Sequence, residues 1–426
     1  MIDINLIREN PKRIKENIQK KYQDTKLPFV DEILEKDKKW RKLKNEVDIL
    51  RADRNKISRE INEAKKAGKN PSILLKKAKK IPKEIEEKEK EMQILQTTLQ
   101  TLLAKIPNLI HSSVPSGKSD KENKELEKIG KISKPSFEIK NHAELIESLN
   151  LADFNSSATT SGNGFYYLQG DLALLNQALI RFATEKMVKA GFTYIETPLM
   201  LRSGVINKVT DLNDQQNQIY KIEGEDLHLI GTSEHSLIGR FIDTILPESQ
   251  LPIKHTSYSM CFRKEIGAHG IDQKGLYRTH QFNKVEMIII CTPENSMKHW
   301  EEIKQITIDI FKDLGIPIRV LAICSGDLGD LKHIQVDIEA WSPKKQEYFE
   351  VGSCSNLTDA QARKLKIRVD GKGKRYIPHT LNNTAIATSR ALVAILENYQ
   401  NKDGTITIPK VLLPYMFGKT KLEKET

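Results

Sequence analysis

Apolar residues recur every seven positions along two stretches of this 426-residue chain. In the first, Ile33, Trp40, Val47 and Ile61 mark one heptad position and Leu43, Leu50, Ile57 and Ala64 the complementary one, with Arg54 as the interruption. In the second, Leu74, Ile81, Leu95 and Leu102 alternate with Ala78, Ile85, Met92, Leu99 and Ile106, and Lys88 is out of pattern. Between them "AGKNPS" (67–72) supplies the glycine, asparagine and proline that stop one helix and start another. Two stripes of nearly equal length around one turn predict an antiparallel helical coiled-coil arm over about residues 29–106, its tip near 66–72. Pro82 lies inside the second stripe, where it removes a backbone hydrogen bond and predicts a kink.

The periodicity ends in "IPNLIHSSVPSGKSDKENKE" (106–125), whose proline, serine and charge read as a linker. The expected division is an N-terminal domain over 1–110, a linker over 111–130 and a larger domain over 131–426. In the last, amphipathic pieces such as "LALLNQALIRFATEKMVKAG" alternate with strand-like runs such as "FTYIETPLM", "VEMIIICT" and "QVDIEAW". Irregular strand spacing with long loops predicts an α+β domain with an antiparallel or mixed sheet.

Charge changes this picture at one place. The chain carries a net +11, and residues 51–80 hold 11 Lys and Arg against 3 Asp and Glu, so the tip of the arm is its basic end. A solvated coiled-coil surface and an arm that tracks the phosphates of a nucleic acid both fit that distribution. Cys261, Cys291, Cys324 and Cys354 form no CxxC pair, which argues against a zinc ribbon or a disulfide scaffold and for reduced thiols in the cytosol. The N-terminus lacks an apolar core and no stretch of about 18 apolar residues occurs, so neither secretion nor membrane crossing is expected. No GxGxxG or GxxxxGK[ST] loop is present, so any nucleotide site uses another scaffold.

Four segments concentrate chemistry. "MCFRKEIGAHGIDQKGLYRTHQF" (260–282) ends one strand with Arg263 and Glu265 on a shared face. It then returns through a second strand with Arg278, His280, Phe282, Lys284 and Glu286 together. Guanidinium forks match phosphate oxygens, a phenyl ring stacks on a base, and carboxylates accept from an ammonium group. A surface hairpin with cross-strand ion pairs would carry the same residue types. In "IGTSEHS" (230–236), Thr232 and Glu234 share a face of a strand end and suit a small polar amino acid, although the pattern also reads as a helix cap. In "EYFEVGSCSN" (347–356), Glu350 and Ser353 offer oxygen ligands to Mg²⁺ carried by ATP. In "TLNNTAIATSRALVAILENYQ" (380–400), a polar strand turns into a helix near Thr388, and Arg390 at its start would meet an anion.

In this order and spacing, the segments resemble the signature motifs of class II aminoacyl-tRNA synthetases, and among these the seryl-tRNA synthetase family. "EKMVKAGFTYIETPLM" is similar to motif 1, with Pro198 at the dimer interface. "CFRKEIG…GLYRTHQFNKVEM" is similar to motif 2, "LNNTAIATSRALVAILENYQ" to motif 3, and "TSE" to the serine-specific loop. The resemblance covers essentially the whole chain, including the arm, and departs from the family pattern at Phe349 and Gly352, at 330–334 within "SGDLGDLKHIQVDIEAW", and in the motif 2 loop at His269 and Lys274. It implies a class II synthetase-like antiparallel sheet flanked by helices and preceded by the coiled-coil arm. It also implies ligation of L-serine to tRNA(Ser) through a seryl-adenylate, with ATP as substrate, Mg²⁺ and no zinc, in a cytoplasmic homodimer. Whether tRNA(Sec) is also charged stays open.

By the resemblance, Arg263 and Arg390 are the catalytic cations. Arg263 meets the α-phosphate and the serine carboxylate, Glu265 the adenine or ribose side, and Phe282 stacks under adenine with Arg390 on the opposite face. Thr232, Glu234, Glu286, Asn382 and Thr384 hold the serine, and Glu350 and Ser353 hold Mg²⁺. The basic residues offered to tRNA are Arg51, Arg54, Arg59, Lys65, Lys66, Lys76, Lys77, Lys79 and Lys80. The rival reading is a non-catalytic paralogue that keeps the fold as an RNA-binding or interaction module.

Overall fold

The structure is a computed structural model and describes residues 1–210, 218–265, 275–371 and 373–424. The chain divides into two compact units, the first ending at Pro107 and the second beginning at Asn108. In the first, the short helices α1 (Ile4–Glu9) and α2 (Pro11–Lys20) precede α3 (Leu27–Lys66) and α4 (Ser72–Lys105). The heptad reading holds. Val47, Ile81 and Ile85 form a buried seam, with Leu50, Ile57 and Met92 packed against it, while Arg54 faces solvent. Lys88 leaves the stripe to pair with Glu46 at 2.5 Å. The helix is continuous through Pro82, whose ring stands on the exposed side. A charged residue outside both stripes is buried too: Asp37, 1% exposed, receives Arg8 at 2.6 and 2.9 Å and Arg41 at 2.9 Å, which fixes α1 to α3.

The second unit is built on an eight-stranded sheet. In chain order its strands are β1 (Lys124–Ile129), β2 (Thr193–Tyr194), β3 (Ile253–Phe262), β4 (Gln281–Cys291), β5 (Ile318–Ala322), β6 (Ile334–Ser342), β7 (Glu347–Thr358) and β8 (His379–Ala387). Across the sheet they lie as β1-β5-β6-β7-β8-β4-β3-β2. Every pair is antiparallel except β2 with β3. Side chains alternate, so Val285, Met287 and Ile289 of β4 enter the main core, as do Leu172, Leu175 and Leu179 of α6 (Gly170–Lys189). Trp300 and Ile303 of α8 (Ser296–Asp313) and Leu392 and Ile395 of α9 (Thr388–Asn398) fill the same core. Phe282, Lys284 and Glu286 of β4 face the other way.

The segment read as a linker is bonded into this unit. Asn108 Nδ2 donates to the carbonyls of Leu331 and Leu357 at 3.0 and 2.9 Å, and His111 N donates to His333 O at 2.8 Å. Lys124–Ile129 then forms the sheet's edge strand. Its exposed lysines and glutamates suit an edge, where charge discourages pairing with another chain, and the same charges hid the strand from hydropathy.

Candidate active site

The face of the sheet away from the main core opens into a cleft with two ends that share Arg263, Lys284, Glu350 and Thr384. One end is lined by Arg263, Glu265, Tyr277, Phe282, Glu350 and Arg390. The other, about 610 Å³, is lined by Thr232, Glu234, Glu286, Ser353, Asn382 and Thr384 among others. Every residue expected to bind ATP or serine lies on this cleft.

Local structure corrects how several of them arrive there. The hairpin ladder pairs Cys261 with Phe282 and Ser257 with Glu286, but β3 stops at Phe262 and β4 starts only at Gln281. Arg263 and Glu265 therefore do not share a strand face. The ladder ends because Lys264 N turns to Gln218 O at 3.0 Å, and Glu265 has a left-handed backbone, φ 44°. On the return, alternation fails as well: Tyr277 and Thr279, expected on the face opposite Phe282, line the same end of the cleft. His280, expected on the site face, braces Arg263 instead, its carbonyl accepting from Arg263 N at 2.9 Å. His269 and Lys274 lie outside the described residues.

Thr232 and Glu234 stand at a helix start, not a strand end. Thr232 is the N-cap of α7 (Ser233–Gly239), its Oγ1 accepting from Glu234 N at 3.3 Å, so the capping pattern is real. The same hydroxyl donates to Glu286 Oε2 at 3.3 Å, as does Thr384 Oγ1 at 3.3 Å. Lys284 pairs with that oxygen too. Glu234 accepts from Gln361 Nε2 at 2.9 Å, and its carboxyl is pushed up by burial and by the neighbouring charge of Glu286. His235, beside it, is held neutral down to about 3 by burial and by Arg263 and Lys284.

Glu350 and Ser353 are three residues apart, a spacing that would put them on opposite faces of a regular strand. The register pairs Ile338 with Gly352 and Glu339 with Glu350, leaving Val351 as a bulge, and both polar residues then reach the cleft. A second irregularity stands beside it in β8, between Thr384 and Ile386. Burial pushes the Glu350 carboxyl up, but the charge and hydrogen bond of Arg390, with Arg263 and Lys332, prevail and hold it low. Arg390 Nη1 lies 2.9 Å from Glu350 Oε2, and 41% of the Glu350 side chain is still open to solvent, so the pair can exchange partners. Asp337 pairs across the ladder with Ser353, and burial and the charge of Glu350 push its carboxyl up to about 7. The Arg263 guanidinium stands 5.4 Å from the Phe282 ring centroid, and that of Arg390 stands 5.5 Å from the ring of Tyr277.

Sequence reasoning placed Lys284 on the site face without giving it a role, and missed Tyr277, Asp337, His235 and Gln361 as members of the site. Tyr277 and Lys284 sit in the motif 2 segment itself, whereas Asp337 and Gln361 come from elements that only tertiary pairing brings near. Among the described residues no three or more His, Cys, Asp or Glu side chains group to enclose a metal ion.

An antiparallel sheet carrying two arginines, a phenylalanine and a carboxylate pair in these positions defines the catalytic core of a class II aminoacyl-tRNA synthetase. The family model described as "tRNA synthetase class II core domain (G, H, P, S and T)" matches residues 219–399. That described as "Seryl-tRNA synthetase N-terminal domain" matches residues 1–110. The serine–tRNA ligase of Methanocella arvoryzae is 47% identical over 422 residues, covering 98% of this chain and 99% of the relative. Seryl-tRNA synthetase from Pyrococcus horikoshii, solved in complex with ATP, superposes with a TM-score of 0.94 at 42% identity over 100% of both chains. The cytoplasmic serine–tRNA ligase of Naegleria fowleri, in complex with AMP, gives 0.90 at 30% identity over 100% and 99%. The chain belongs to the seryl-tRNA synthetase family.

Proposed function

We propose that this chain joins L-serine to tRNA(Ser) in two steps, using ATP and releasing pyrophosphate and then AMP. The observation that carries the reading is one cleft with cations and aromatic rings at one end and a buried, mutually bonded set of carboxylates and hydroxyls at the other. Adenine stacks on Phe282, with Arg390 on its opposite face and Glu265 toward the adenine or ribose. Arg263, between the two ends, meets the α-phosphate and the serine carboxylate. The serine ammonium and hydroxyl are taken by Glu286, Thr232, Glu234, Asn382 and Thr384. The serine carboxylate attacks the α-phosphorus in line and pyrophosphate leaves. The 3′-terminal ribose hydroxyl of the tRNA then attacks the seryl-adenylate carbonyl, releasing AMP. No side chain need act as a covalent nucleophile, because positioning and charge neutralisation supply the acceleration.

Glu350, Ser353 and Asp337 present only oxygen donors and so fit Mg²⁺ carried in by ATP, whose phosphates complete the shell. Bound there, the ion would neutralise phosphate charge. Selectivity for serine over alanine follows from polar groups that would be left unpaired without the substrate hydroxyl.

At the arm, Arg51, Arg54, Arg59, Lys65, Lys66, Lys76, Lys77, Lys79 and Lys80 are all exposed, and Arg51 pairs with Glu89 at 2.6 Å. This surface suits the phosphates of tRNA(Ser), read by shape rather than base sequence. Two copies pair through the motif 1 region, where Val188 and Met200 are 52% and 45% exposed. In this reading the enzyme works in the cytoplasm; among the described residues no helix is long and apolar enough to cross a membrane. The same charging assay run with tRNA(Sec) decides whether it is a second substrate.

Serine-dependent ATP–pyrophosphate exchange tests the reading, and Arg263→Ala should abolish it; near-normal exchange in that variant would sink the assignment. Deleting residues 51–80 should spare exchange while lowering tRNA(Ser) charging about 100-fold at moderate salt. Equal loss of both activities would contradict the division of labour.

A further inference from the structure

We propose that His142, remote in sequence from every motif, is a positioning residue that holds the returning end of the motif 2 segment against Arg390. His142 opens the short helix α5 (His142–Ser148), and its side chain is 12% exposed. Its Nε2 accepts a hydrogen bond from Leu276 N at 3.2 Å. That places the proton of the neutral ring on Nδ1, which lies 3.5 Å from Glu397 Oε1. The Glu397 side chain is 3% exposed, and its other oxygen accepts from Ser342 Oγ.

The contacts close into a ring. Ser342 Oγ accepts from Lys345 N at 3.0 Å, and Lys345 Nζ stands 5.3 Å from the ring of Tyr277, the residue after Leu276. Tyr277 in turn packs edge-on against Phe349 and lies under the guanidinium of Arg390. This gives Phe349, a departure from the family pattern, a contact of its own. Arg390 and Glu397 lie two turns apart on α9, so one helix face carries both the cation of the cleft and the anchor of His142. Gly275 has φ 122°, and a Cβ there would come within 2.4 Å of His142 Nε2, so the chain passes over the imidazole only as glycine.

Losing the Nε2 acceptor should free Leu276 and Tyr277 and loosen the nucleotide end, while the serine end, built on Thr232, Glu286 and Thr384, keeps its contacts. The inference rests on the proposed role of Arg390 toward ATP. The experiment is serine-dependent ATP–pyrophosphate exchange on the full chain, with KM measured for ATP and for serine. His142→Ala should raise KM for ATP about tenfold and leave KM for serine within about twofold. Glutamine sets an amide oxygen near the place of Nε2, whereas asparagine reaches only as far as Nδ1. His142→Gln should therefore restore KM for ATP to within about twofold of the parent, and His142→Asn should behave like alanine. If the alanine variant does not fold, the glutamine and asparagine variants decide the matter between them. An unchanged KM for ATP, a parallel rise in both KM values, or equal behaviour of glutamine and asparagine overturns the inference. Absence of serine-dependent exchange in the parent chain would instead remove the proposed function.

Discussion

At the end of the cleft proposed for serine, polar groups are buried and bonded to one another: Glu286 is 2% exposed and meets Thr232, Thr384 and Lys284. At the nucleotide end, Arg263, Tyr277, Phe282 and Arg390 are half-buried and held by cation–ring contacts and an ion pair with Glu350. The difference matches what each end is proposed to recognise. A small substrate distinguished by one hydroxyl needs a fixed network in which a missing partner is felt. A flat base and a chain of phosphates can be met by rings and guanidinium groups that slide and exchange partners.

The largest test of this contrast is Glu286→Gln, which leaves Lys284 buried beside a neutral amide and weakens the grip on an ammonium group. kcat/KM for serine should fall about 1,000-fold in pyrophosphate exchange, with KM for ATP within about twofold. If both substrates lose equally, the two ends are one unit and the contrast fails. Phe282→Leu removes the stacking surface but no charge. KM for ATP should rise about tenfold, and KM for serine should stay constant.

The smallest effect is on stability and belongs to the serine end alone. The His235 imidazole takes a proton only near pH 3 in the fold, against 6.5 ordinarily, because burial and the nearby Arg263 and Lys284 disfavour its charge. As pH falls, the unfolded chain binds that proton first. Stability is therefore complete above pH 6.5 and declines as pH drops toward 3. At pH 5 the loss is roughly 2 kcal/mol from this group. Between pH 7.5 and 5 the parent should lose about 3 °C more in Tm than His235→Gln, measured by thermal unfolding. Parallel curves for the two proteins would show that His235 carries no such linkage.

How far each region could be read before its structure was known depended on the range of its contacts. The arm was legible almost residue by residue, because a heptad seam is a local pattern and α3 and α4 meet across a single turn. Asp37 escaped because its partner Arg8 lies on another helix, outside the period. In the cleft, the residue types announced their chemistry, and all those expected for ATP and serine line it. Their routes were misread wherever the ladder stopped early, as at Phe262, or took an extra residue, as at Val351. Strand β1 was missed since an edge strand of lysine and glutamate looks like a charged linker.

The sequence by itself determined the coiled-coil arm with its basic tip, the mixed α and β character of the second unit, and a set of residues offered to ATP and serine that gather in one cleft. Periodicity and functional-group chemistry are local properties, carried by each segment wherever it folds. Tertiary structure alone decided that Asp337 stands beside Ser353, that Gln361 holds Glu234, and that His142 reaches Leu276 and Glu397. Those pairings rest on strand register, on two bulges and on helices meeting across the core. A shift of one residue in any of them reverses which face a side chain takes, and no single segment specifies that register.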